Sequence, residues 1–134
     1  MSTVEQIKWL FVNRRRLESE IMNFELEYKN VADDVPQELL DQIERNRYAV
    51  AYMDLLLHSL TVQEALTIQL HLVDGLEWVC VNHEFQKRWG DECYKAERTL
   101  KSYARRALIK MAQFLEASQD YYKATWLCRS IGPK

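Results

Sequence analysis

Five residues of this chain break helices by their own chemistry: Pro36, Gly75, Gly90, Gly132 and Pro133. Each falls at a joint between stretches whose apolar residues recur at three- and four-residue steps, the period of an amphipathic helix. The spacing therefore predicts an all-α fold of five or six helices with no sheet. With 134 residues, nearly half of them apolar, the chain is long enough to bury a substantial core.

The first periodic stretch, residues 3–30, places Ile7, Leu10, Leu17, Ile21, Phe24 and Tyr28 in a heptad seam spoiled only by Arg14. Arg14 is expected to snorkel past a helix end, the alternative being a pairing with an acid across the seam. Asp34 with Gln37 reads as a capping box, with Pro36 in the first turn. A second helix is expected over 36–58, its inner face made of Leu40, Ile43, Val50, Met53 and Leu57. A short connection returns the two helices antiparallel, so residues 1–59 are expected to form an antiparallel helical hairpin for dimerisation or partner contact.

Residues 60–134 read as a three-helix unit with a tail. Thr61 and Glu64 make a capping box, Leu66, Leu70 and Val73 follow, and Asp74–Gly75 ends the helix with a left-handed cap. The next helix, 76–89, turns Trp78, Val81, Phe85 and Trp89 to one side. Gly90 stops it, and Asp91 is expected to cap a third helix with an apolar stripe through Leu100, Ala107, Leu108 and Met111. Trp78, Phe85, Leu100, Leu108 and Met111 are the expected core. A last short helix from Ser118, carrying Tyr121, Tyr122, Trp126, Leu127 and Ile131, is expected to dock beneath the hairpin.

No enzyme chemistry is legible. Cys80, Cys93 and Cys128 are odd in number and widely spaced, making neither a disulfide framework nor a zinc pattern, so mostly buried free thiols are expected. His58, His71 and His83 form no metal-binding pair, and no phosphate loop or nucleophile elbow occurs. No catalytic residue, cofactor or metal ligand is assigned. No apolar run reaches the roughly 20 residues of a membrane span, and the first residues lack an apolar signal region. A cytoplasmic protein is the expectation.

Charge is distributed unevenly. Residues 85–110 hold eight basic side chains against three acidic ones, whereas the whole chain carries a net charge of −2. A basic segment in an otherwise acidic protein is a local footprint suited to a phosphate backbone. Lys95, Arg98, Lys101, Arg105 and Arg106 sit mostly off the apolar stripe of the third helix, facing outward. The same pattern also describes a solvated surface helix.

Leu60-Thr61, Gly75-Leu76-Glu77-Trp78, Arg98-Thr99-Leu100-Lys101-Ser102 and Arg106-Ala107-Leu108-Ile109-Lys110 occur in that order. This series resembles the region-four helix-turn-helix of sigma factors, and more closely the small phage and mobile-element regulators of the ArpU and RinA type. The resemblance covers about half the chain. It implies a helix-turn-helix that binds promoter or operator DNA, with Thr99, Lys101 and Ser102 facing DNA, Arg98 and Arg105 flanking them, and Leu100, Ala107 and Leu108 on the core side. With Lys95 and Arg106 these make the candidate DNA-binding set. Two departures stand out. Ala96 occupies the position where the family has a capping Ser, and each of the last two helices is about one turn longer. RNA polymerase or another host protein and a second copy of the chain are the implied further partners. The alternative reading is a non-enzymatic adaptor that retains this fold and binds a host protein.

Overall fold

Ser2 opens the first helix with a reciprocal cap: its hydroxyl accepts from the Glu5 N–H at 3.2 Å, and its own N–H donates to the Glu5 carboxylate at 3.0 Å. The computed structural model describes residues 2–29 and 34–117. They form α1 (Thr3–Val12), α2 (Arg14–Glu27), α3 (Gln37–Leu57), α4 (Val62–Ile68), α5 (Trp78–Trp89) and α6 (Glu97–Ala117), with no strand among the described residues. The all-helical class is as the periodicity predicts. The expected tail helix from Ser118 onward lies outside the described residues, as do Cys128 and positions 30–33.

The long first helix is in fact two. Asn13 (φ −100°, ψ 6°) donates both its backbone N–H and its side-chain amide to the Trp9 carbonyl, at 3.1 and 2.9 Å, and so ends α1. A short amide side chain competing for the local backbone interrupts a helix that the heptad count carries straight through. The break lets α1 pack on α6 while α2 packs on α3. Arg14, directly after the break, does not snorkel. Its side chain is only 14% exposed and reaches Glu18 at 2.7 Å and Asp54 of α3 at 2.6 Å.

Two other local expectations fail at the start of α3. Asp34 is exposed and does not cap it. The Pro36 carbonyl accepts from the Leu39 and Leu40 N–H groups, both at 3.1 Å, which makes Pro36 itself the N-cap. The buried face is Ile43, Asn46, Ala49, Tyr52, Met53 and Leu56, leaving Leu40, Val50 and Leu57 half-buried. Asn46 is fully buried and donates to the Glu20 carboxylate at 2.7 Å.

Two clusters make the interior. The larger gathers Ile7, Phe11, Leu17, Met53, Leu56, Ile68, Met111 and Leu115, and so draws on both sides of the boundary expected near residue 59. The smaller holds Leu66, Leu70, Val81, Phe85 and Leu100, with Trp78 and Tyr103 at its edge. Phe85, Leu100 and Met111 are fully buried as expected, whereas Trp78 and Leu108 are only half-buried. Leu108 stands at the rim of the larger cluster, so a Leu108→Ala change uncovers less apolar surface than its place in the stripe implies. The thiols also depart from expectation: Cys80 is exposed and Cys93 partly so.

α4 begins with the Thr61–Glu64 capping box, at 3.2 and 3.0 Å, and runs into a single wider turn over Gln69–Val73. The Asp74 N–H reaches the Gln69 carbonyl at 2.9 Å, and Gly75 at φ +70° reverses the chain, as a left-handed cap requires. That turn still buries Leu70, Leu72 and Val73, so it feeds both clusters.

Glu64 has a second role. Its side chain is 4% exposed and accepts from Lys110 of α6 at 2.7 Å, tying α4 to α6. Burial alone pushes the Glu64 carboxyl up, but Lys110 and the Thr61 cap outweigh burial and hold it below the usual carboxylate range. A carboxyl whose folded pKa is depressed adds stability above its unfolded value of about 4.3, and loses it as pH falls through the folded value. Glu64→Gln is expected to cost about 1–2 kcal/mol at pH 7 and to flatten the acid limb of the melting profile. Thermal melts between pH 7 and 3 check this. Parallel wild-type and variant profiles would refute it.

Candidate nucleic-acid interface

The basic face begins with how the chain enters α6. Gly90 (φ +91°, ψ 170°) takes a conformation open essentially to glycine alone, and a tight 3₁₀ turn over Asp91–Cys93 follows. Tyr94 is extended, and α6 starts at Glu97. The cap expected at Asp91 therefore falls five residues later, and Arg98 lies in the first turn of the helix. The Ala96 carbonyl accepts from the Thr99 and Leu100 N–H groups at 2.9 and 3.1 Å, which makes Ala96 the N-cap. Its methyl group cannot accept a hydrogen bond, so the first-turn donors lack a side-chain partner at that position. Ala96→Ser is expected to raise stability by about 1 kcal/mol, measured as a higher denaturation midpoint. A midpoint at or below wild type would show that the cap is not limiting.

Asn82 on α5 positions this entry. It is buried, its side-chain N–H donates to the Lys95 carbonyl, and its carbonyl oxygen accepts from the Lys95 N–H at 3.0 Å. One amide thus satisfies both backbone groups of one residue and holds the segment before α6 against α5. Nothing in the sequence marks Asn82 for this role, because an amide inside a helical stretch adds nothing to an apolar period.

Six of the seven candidate residues come together. Arg98, Thr99, Lys101, Ser102, Arg105 and Arg106 line one open concavity of about 550 Å³ along the first half of α6. Their spacing at three- and four-residue steps keeps them on one side of the helix over about 12 Å of its axis. Lys95 is not among them, since it stands before the helix with its backbone held by Asn82. Leu100, Ala107, Met111 and Leu115 fill the opposite side of α6, which is why the cations have no route inward.

Charge pairing sets this face apart from the arginines of α2 and α3 that hold carboxylates, although Arg88 of α5 and Lys8 of α1 also have none among the described residues. Arg14 binds Glu18 and Asp54, Arg15 binds Asp74, Arg16 binds Glu20, and Arg47 binds Glu25 and Glu44. On α6 only Lys101 of the concavity is paired, with Glu97 at 3.2 Å and both side chains exposed. Arg98, Arg105 and Arg106 are exposed and hold no carboxylate among the described residues. Arg106 lies over the Tyr103 ring with 5.4 Å to its centroid, a contact that orients a guanidinium without neutralising it. The face can offer two hydroxyls and three guanidinium groups that no carboxylate compensates among the described residues to an anionic surface.

No group of three His, Cys, Asp or Glu side chains among the described residues is placed to hold a metal ion. Likewise, no helix among them is long and apolar enough to cross a membrane. No protein-family model, no curated protein and no solved structure matches this chain.

Proposed function

We propose that the chain is a transcriptional regulator of the phage or prophage type that binds double-stranded DNA through α6. On this reading α4, α5 and α6 are a sigma-like helix-turn-helix, with α6 the helix that meets the duplex. The observation that carries it is a cluster: Arg98, Arg105 and Arg106 stand together on one face of α6 with no carboxylate among the described residues. Arg14, Arg15, Arg16 and Arg47 each hold one, and the likewise unpaired Arg88 stands apart on α5. Uncompensated guanidinium groups clustered on one helix face attract phosphate, because binding releases counterions from the duplex. The entry turn supports the same reading. With α6 starting at Glu97, Arg98, Thr99, Lys101 and Ser102 occupy its first turns, where recognition helices present their side chains to base edges.

α2 and α3 serve as the hairpin of this regulator. Their partners run in opposite order, Arg14 with Asp54 and Glu20 with Asn46, as an antiparallel pair requires. Met22 and Leu26, one turn apart on α2, are 61% and 71% exposed, and contact with RNA polymerase or a second copy belongs there.

Gel retardation with promoter fragments from the genetic element that encodes the chain tests the proposal. A shifted band at low salt that is lost on raising salt is expected. If no fragment is retarded, and a nuclease-resistant host protein is recovered with the chain from its native cell, the adaptor reading replaces it.

A further inference from the structure

A second concavity lies beside the basic one, where α1, the Gln69–Val73 turn, the start of α5 and α6 meet. It is an open groove of about 320 Å³, at the small end of the range for ligand pockets. Leu72, Ala104, Leu108 and Ile109 make an apolar floor. His71 and Trp78 also line it, their rings stacked at 3.8 Å with 18° between their planes. The His71 Nδ1 lies 2.9 Å from the Leu76 carbonyl, a contact that fixes the imidazole against the indole. Among the described residues the charged side chains lining this groove are Lys8, Lys101 and Arg105, and none is acidic. Lys8 and Arg105 hold no carboxylate among the described residues, and Lys101 has Glu97 at its exposed side.

An apolar floor with a purely cationic rim selects a molecule that is apolar at one end and anionic at the other. Burying the body removes apolar surface from water, and the carboxylate completes charge-assisted hydrogen bonds that the rim lacks. We propose that this groove binds a small amphipathic carboxylate, a ring or short chain bearing one carboxyl group. Its body lies on Leu72, Leu108 and Ile109, and its carboxylate meets Lys8, Lys101 and Arg105. Lys101 and Arg105 line both concavities, so an occupied groove withdraws two cations from the neighbouring face. That last consequence rests on the DNA reading; the site itself does not.

Titration of the full chain with 1-naphthoate and with 1-naphthalenemethanol, its uncharged counterpart, followed by amide and indole NMR shifts without nucleic acid, tests the site. Saturable shifts confined to Lys8, His71, Leu72, the Trp78 indole, Lys101 and residues 104–109 are expected, with the acid at least about tenfold tighter than the alcohol. Ala104→Phe should fill the groove and abolish the shifts. The surface double variant Lys8→Gln/Arg105→Gln should keep the fold and bring acid and alcohol to near parity. Equal affinities in the wild type, or shifts centred elsewhere, would overturn the proposal. So would groove shifts that follow protein concentration in place of added acid, which would assign the face to a second copy of the chain. Failure here leaves the DNA reading standing, since no duplex is present.

Discussion

Phe85→Ala is expected to lose about 3–5 kcal/mol of folding stability, the scale for emptying an aromatic site in a packed core. Phe85 is fully buried at the centre of the smaller cluster, edge-on to Trp89 at 5.2 Å and stacked with Tyr103 at 6.4 Å. Among the described residues only Leu66, Leu70, Val81 and Leu100 share that cluster as buried neighbours, so little remains to collapse into the void. Against a total stability of roughly 5–15 kcal/mol for a domain, such a loss brings this part of the chain close to unfolding. Urea denaturation should show the midpoint falling at nearly unchanged slope. Amide exchange should rise more in α5, which rests on this cluster, than in α3, which rests on the other. A midpoint near wild type would mean that Phe85 does not organise the three-helix unit.

The second large effect is electrostatic. Replacing Arg98, Arg105 and Arg106 together by Ala should lower the salt dependence of DNA binding by about 2.7 in slope, close to 0.9 for each phosphate that is no longer neutralised. These side chains are exposed and unpaired among the described residues, so folding stability should stay within about 0.5 kcal/mol of wild type. Thr99 and Ser102 should behave differently. Their replacement by Ala should cost about 1–3 kcal/mol on the preferred site and little on unrelated duplex, the mark of side chains that read bases. Arg47→Ala, which removes a cation already held by Glu25 and Glu44, is the matched control and should leave the slope unchanged. An equal slope for triple variant and wild type would remove DNA binding through α6 from consideration.

The apolar period makes most of the architecture legible. It places α4 and its capping box, the stop at Gly75, and the buried stripe of α6 through Leu100, Ala107 and Met111, because each depends on neighbours three or four residues away. What it cannot place depends on partners far along the chain. The Arg14–Asp54 pairing spans 40 residues and the Asn82–Lys95 clamp spans 13, and neither leaves a mark in a local pattern. The start of α6 departs from expectation for a different reason. Asp91 after a glycine is a good cap by composition, yet the backbone takes a 3₁₀ turn there and yields the cap to Ala96. Of the candidate site, the six residues on α6 are legible as one helix face. Lys95 joins them only if the helix is capped at Asp91, five residues too early.

α6 is rooted in both clusters, as the shorter α4 is through Leu66 and Ile68, and gives Leu100 to the smaller and Met111 and Leu115 to the larger. Over 21 residues it spans about 30 Å, and it is held near either end like a beam set in two walls. Such a beam cannot swivel at one support while the other stays put. The pitch and reach of its cationic end are therefore set by the packing of α1 and α3 at the far end. In a paired assembly joined through α2, the separation of the two cationic ends would be a constant of the fold. If that assembly bound DNA as proposed, target sites would be sorted by the distance between their halves as well as by their bases.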